Sequence, residues 1–138
     1  MLRVAFSIFG LCLVLLASPA SAEDERLAYI DVAGAPGDGE QALERALSNR
    51  FLDQGFTVTG TPAINAYEIQ GTVRLLPAGR GKETLRIDWT IFGPESTYLG
   101  NMTQTREIRK GSLNARWGAA AEAAAAAAVP DILQYMPQ

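Results

Sequence analysis

Lys110 and Ser112 stand two positions apart in Lys110-Gly111-Ser112, and a lysine amine beside a serine hydroxyl can run nucleophilic chemistry without histidine. The sequence has no His, and its single Cys is Cys12. A Ser-His-Asp relay is therefore excluded, as is any zinc site built from Cys and His. A lysine base must be deprotonated to act. Lys82 falls in a Gly-rich turn and Lys110 in a loop between Arg109 and Gly111, so water is expected to keep both charged. Glu68 and Asp88 are the nearest thing to a carboxylate pair for glycoside chemistry, but Arg74 and Arg86 beside them would hold both acids ionised, which suits no general acid. The Gly34-Ala-Pro-Gly-Asp-Gly39 loop has the glycine content of a phosphate cradle. It is followed by Glu40 and Gln41 where a P-loop needs Lys and Ser or Thr, and a tight turn with a helix cap accounts for it. The expectation is a protein without catalytic residues, metal ligands or cofactor contacts. An exposed Trp117 and the polar face carrying Arg74, Arg86 and Asp88 are its candidate partner contacts, set against ordinary charge pairs on a solvated sheet.

The elements that must position these residues begin after a leader. Arg3 is followed by an apolar run from Val4 to Leu16, then by Ala20-Ser21-Ala22 and the charged Glu23-Asp24-Glu25-Arg26. That order is a cleavable export signal over 1–22, and its apolar stretch is shorter than the ~20 residues of a permanent span. Cys12 does not fit a lipoprotein signal, because Leu11 precedes it and Leu13 to Leu16 continue the apolar run. Losing Arg3 takes the formal net charge from −3 to −4. An acidic chain of this kind is a poor nucleic-acid binder and has no electrostatic reason to dock on anionic lipid. Without its Cys, the exported part (23–138) must be held by its core alone.

That part reads as one α+β domain, β-α-β-β-β-β-α: a two-layer sandwich with a mostly antiparallel sheet of five strands and two helices on one face. Leu27 to Ala33 forms the first strand. Asp38 and Gln41 suggest a capping box for a helix running to about Gln54, with Ala42, Leu43, Ala46, Leu47, Phe51 and Leu52 as its apolar stripe and Gly55 as its stop. Phe56 to Thr59 is a short strand. Tyr67 to Leu75 and Leu85 to Ile91 alternate apolar with polar residues and read as a hairpin turning over Pro77 to Lys82. Matching its faces requires partners with an even sum, such as Gly71 with Trp89 or Val73 with Leu85. Thr97 to Ile108 is a further strand with a bulge near Gly100-Asn101. A last helix, capped by Ser112 or Asn114, contains the alanine run 119–128 and is kinked or restarted at Pro130.

The stretches Gly34 to Gly39, Arg86-Ile-Asp-Trp89 with its following Gly-Pro turn, Leu99-Gly100 with Gln104, Gly111-Ser112-Leu113 and Trp117-Gly118 resemble those of a group of small exported proteins and lipoproteins of alphaproteobacteria. The element order is also similar to that of accessory domains in lipopolysaccharide assembly and in transporter-associated lipoproteins. The resemblance implies a periplasmic or secreted, non-enzymatic accessory or interaction module whose partner is another cell-envelope protein, with no nucleic acid and no stable membrane insertion after cleavage. The rival function is that of a periplasmic small-ligand binder, using a pocket between helix and sheet. Intact mass spectrometry of exported material should find a chain beginning at Glu23; a diacylglycerol adduct on Cys12 or an uncleaved Met1 chain would contradict it.

Overall fold

The structure is a computed structural model and describes residues 25–137. The expected leader and its cleavage site lie outside the described residues. Strand β1 (Leu27–Ala33) is followed by helix α1 (Gly39–Asp53), β2 (Thr57–Thr59), β3 (Tyr67–Gly79), β4 (Lys82–Gly93), a short 3-10 turn (Pro94–Ser96), β5 (Thr97–Arg109) and helix α2 (Gly118–Gln134). One sheet has the order β2-β1-β3-β4-β5. β1 is parallel to both β2 and β3, and the two long ladders β3–β4 and β4–β5 are antiparallel, so the sheet is mostly antiparallel as expected. No helix among the described residues is long and apolar enough to cross a membrane.

The period-2 pattern fixes which face is covered. Ile30, Ile69 and Ile91 lie across three neighbouring strands in register, as do Val32, Gly71 and Trp89. All but Gly71 are core residues no more than 6% exposed. Gly71 carries no side chain because the Trp89 ring occupies the place a Cβ would take. Gly100 does the same on β5 for the ring of Tyr135. Val73 is opposite Ile87 and Leu75 opposite Leu85, so Gly71–Trp89 is the observed register and the pairing of Val73 with Leu85 is not. Parity permits both pairings; the turn selects between them. β3 runs on to Gly79, which pairs with Lys82, leaving Arg80-Gly81 as a two-residue turn. Both turn residues have positive φ (54° and 70°), as the tight hairpin of matching twist requires. The bulge in β5 is Leu99, which is skipped where Ile91 pairs with Gly100 and Phe92 with Tyr98.

Helix α1 buries Leu43, Ala46, Leu47 and Phe51 against the sheet, whereas Leu52, expected in the stripe, is 52% exposed. Its end is closed by Gly55 (φ 88°), with the Gly55 amide donating to the Leu52 carbonyl and the Phe56 amide to Phe51. The rings of Phe51 and Phe56 meet edge to face at 5.2 Å across that stop, the apolar contact that accompanies this terminal motif. α2 buries Ala121, Ala124, Ala125, Ala128, Val129 and Ile132, and remains one helix through Pro130 instead of restarting there.

Neither helix is capped as the sequence suggests. The Asp38 side chain makes no cap bond to α1, and Ser112 and Asn114 lie outside α2, whose N-cap position is Trp117. Asp38 Oδ1 instead accepts the Trp117 backbone amide at 2.8 Å, and the Asp38 amide donates to the Ala115 carbonyl at 2.8 Å. A residue 79 positions earlier thus serves the start of α2. Trp89→Ala should cost about 3–5 kcal/mol in urea melts, as for a large core aromatic. Arg86→Ala should cost under about 1 kcal/mol, because its ion pair is 42% exposed on the arginine side. Equal losses would mean that the two faces of β4 are assigned the wrong way round.

Candidate binding groove

The Gly34–Gly39 loop is filled by its own contacts. The Gly34 amide donates to Glu40 Oε1 at 3.1 Å, the Gly39 amide to the Pro36 carbonyl at 3.1 Å, and the Asp38 amide to Ala115. The indole of Trp117 packs where a Cβ on Gly39 would stand. Its Nε1 donates to the carbonyls of Pro36 (2.9 Å) and Leu113 (3.0 Å). Trp117 is 2% exposed, so the exposed tryptophan that sequence offered as a partner contact is a buried wedge between two loops. Its burial follows from the missing side chain at Gly39, a reason that no local pattern around Trp117 contains.

Among the described residues the polar face carries one ion pair within a strand, Arg86 with Asp88, and one between strands, Lys82 of β4 with Glu107 of β5. Arg86 Nε and Nη2 both donate to the Asp88 carboxylate of the same strand at 3.1–3.2 Å, and Thr103 Oγ1 of β5 donates to Asp88 Oδ1 at 2.6 Å. Glu68 accepts from Gln70 of its own strand. Arg74 lies directly opposite Arg86, not opposite an acid. The Thr103 and Arg86 hydrogen bonds hold the Asp88 carboxyl below the ordinary carboxylate value. A hydrogen bond from Lys82 to Glu107 (2.8 Å) raises the Lys82 ammonium above its ordinary value, the reverse of what a general base needs. Lys110 and Ser112 are both exposed; the Lys110 amide donates to the Gly81 carbonyl and the Ser112 amide to Arg109.

The main concavity lies elsewhere, between β5 and the first half of α2, with a volume of about 780 Å³. Such a size falls in the range of small-molecule sites. Leu85 and Ile108 form its sheet side, and Ala120, Ala123 and Ala124 its helix side. Gln104 ties the two together: its Oε1 accepts the Trp89 indole N–H, and its Nε2 donates to the Ala124 carbonyl at 3.3 Å. Arg106, Arg109 and Arg116 also line the groove. The sequence points to a pocket between helix and sheet only in outline, and does not identify its lining residues, because they depend on where α2 lies. The available signal was in β5, where Gln104 and Arg106 occupy the positions whose neighbours on β4 (Ile87 and Leu85) face the core. β5 is also an edge. Twelve of its thirteen residues pair with β4 on one side, while β2, at the other edge of the sheet, has only three residues.

No family model and no curated protein matches the chain. Among solved structures it is similar to an uncharacterised protein with TM-score 0.53 and 15% identity, the match covering 80% of this chain and 92% of that one. A minor lipoprotein from Acinetobacter baumannii gives TM-score 0.44 at 14% identity, covering 78% of this chain and 91% of its own. A lipoprotein from Neisseria meningitidis gives 0.47 at 10% identity, covering 80% and 99%. The first of these likenesses shows a shared fold; the neighbours as a set are uncharacterised proteins and bacterial lipoproteins.

Asp88 supplies a pH test of the polar face. Because its folded pKa is lowered, its stabilising contribution is present above the ordinary value of 3.8 and is lost as pH falls through the folded value. Urea melts of the wild type and Asp88→Asn should differ at pH 6 and converge as pH falls toward 2. A gap that widens on acidification would contradict the assignment.

Proposed function

We propose that this chain is an exported, non-enzymatic accessory protein of the cell envelope that docks another envelope protein by strand addition along β5. The observation that carries this reading is the edge itself. An unpaired strand offers a row of backbone N–H and C=O groups to an incoming strand, and folded proteins ordinarily blunt such edges with charge. In β5 the charges are confined to Arg106, Glu107 and Arg109, while Thr97 to Thr105 carries none. Past the bulge at Leu99, the uncharged stretch Gly100 to Thr105 is itself of ordinary strand length. The leader, the absence of His, and the resemblance of several stretches to exported proteins and lipoproteins support the envelope setting and the non-catalytic role. The groove beside the edge favours the second reading, a small-ligand binder.

A photo-crosslinking residue at Asn101, introduced in exporting cells, should give one adduct of defined mass, and the same residue at Arg74 on the polar face should give none. Adding Thr105→Lys should abolish the Asn101 adduct while shifting stability by less than about 0.5 kcal/mol, as for an exposed substitution. A strong adduct at Arg74 would move the contact to the polar sheet face with Arg86 and Asp88. Turnover of ester or peptide substrates that vanished in Lys110→Ala would replace the reading with an enzyme.

A further inference from the structure

We propose that the groove between β5 and α2 binds a single acyl chain with an anionic head group. The inference rests on different residues from the strand-docking reading and stands or falls separately. The walls are of one kind: alanines at 119, 120, 123, 124 and 127 on the helix, with Leu85 and Ile108 opposite. At 1.5 Å per residue, that alanine row is about 12 Å long. It presents methyl groups only, so it is smooth along its length, which suits a flexible chain of methylenes better than a branched or flat ligand. The amide of Gln104, held on Ala124, marks one part of this wall, and the arginines lie toward the helix start, where Arg116 immediately precedes Trp117.

Charge supplies the head group. The chain as a whole is acidic, at formal −3, yet Arg106, which shares the inner face of β5 with Gln104, and Arg116 line the groove, while Arg109 borders it from the strand end opposite Lys82. Its one acid, Glu107, is engaged by Lys82. Among the described residues none of the three arginines is in an ion pair. Guanidinium groups at the mouth of an apolar slot are matched by a carboxylate or a phosphate, to which arginine can donate in a fork. The ligand class is therefore an amphiphile with one anionic end. A fatty-acid carboxylate and a monoacyl phosphate share that chemistry.

The test uses protein purified from an exporting host, with calorimetric titration below the micelle concentration. Dodecanoate and dodecyl phosphate should bind, and each added methylene from decanoate upward should tighten binding about two- to fourfold. Dodecyltrimethylammonium should bind at least about tenfold more weakly, since it meets like charge. Arg106→Gln with Arg116→Gln should weaken both anions by about tenfold or more without lowering the thermal midpoint. Ala123→Trp should block them all by filling the slot while leaving the arginines in place. A preference for dodecyl phosphate over dodecanoate would identify the phosphate source, and the reverse the carboxylate. The proposal is overturned if no anion binds, if the cationic chain binds as well, or if the arginine pair makes no difference to folded protein. It is overturned as well if light scattering shows the groove covered by a second copy. The Asn101 crosslink is indifferent to all these outcomes, so failure here leaves the strand-docking reading to its own test.

Discussion

The indole of Trp117 occupies the volume a side chain at Gly39 would need, and its N–H donates to two carbonyls, that of Leu113 and that of Pro36, which also accepts the Gly39 amide. Asp38 completes the joint by taking the Trp117 amide, while its own amide reaches Ala115. The starts of both helices are fixed to one another by this contact. α1 begins at Gly39 and α2 at Gly118, so the angle at which the helices cover the sheet follows from it. So does the gap left between α2 and β5. Cys12 is the only Cys in the chain, so no internal disulfide can substitute for such a joint.

A second set of contacts spans the sheet. Trp89 packs over Gly71 on one neighbour and donates to Gln104 on the other, and Gln104 continues to the backbone of α2. A buried indole N–H needs a partner, and a polar side chain on the inner face of β5 supplies it. The same glutamine is therefore a structural tie and part of the groove wall. Gly100, yielding to the Tyr135 ring, and Tyr135 Oη, donating to the Asn101 carbonyl at 3.1 Å, hold the far end of α2 to β5. The helix is pinned to β5 at the middle and at its end. Toward its beginning it is pinned to the Gly34–Gly39 loop instead, and there the groove opens.

Local patterns made most of the architecture legible, and the failures share a cause. The β3–β4 hairpin was readable because alternation over Tyr67 to Leu75 and Leu85 to Ile91 reports burial directly. The bulge was placed within two residues of Leu99, since Gly100-Asn101 breaks the same alternation. What could not be read were interactions across long stretches of chain. Asp38 resembles a local cap but serves Trp117, and Trp117 resembles a surface anchor but fills a notch at Gly39. Arg86 and Asp88 pair within β4 and not across strands, because the register sets Arg74 against Arg86, and the cross-strand ion pair falls instead on Lys82 and Glu107. The groove is of the same kind: its two walls are adjacent only once α2 has been docked.

The alanine run links the core to the groove. Facing inward, Ala121, Ala125 and Ala128 let α2 approach closely, and their burial is complete or nearly so. Close approach is what allows Gln104 to reach the Ala124 carbonyl. Facing β5, the same residue type is too short to span the space to Ile108 and Leu85, so a slot remains. Leucines on that face would close it and bury more apolar area, at roughly 25 cal/mol per Å². The domain therefore forgoes burial at one place, beside the charged end of β5 and near Arg106, Arg109 and Arg116, which among the described residues have no ion-pair partner. An apolar slot of this kind exposed to water is unfavourable, and the sheet edge beside it is blunted only by the Leu99 bulge and by the charges from Arg106 to Arg109.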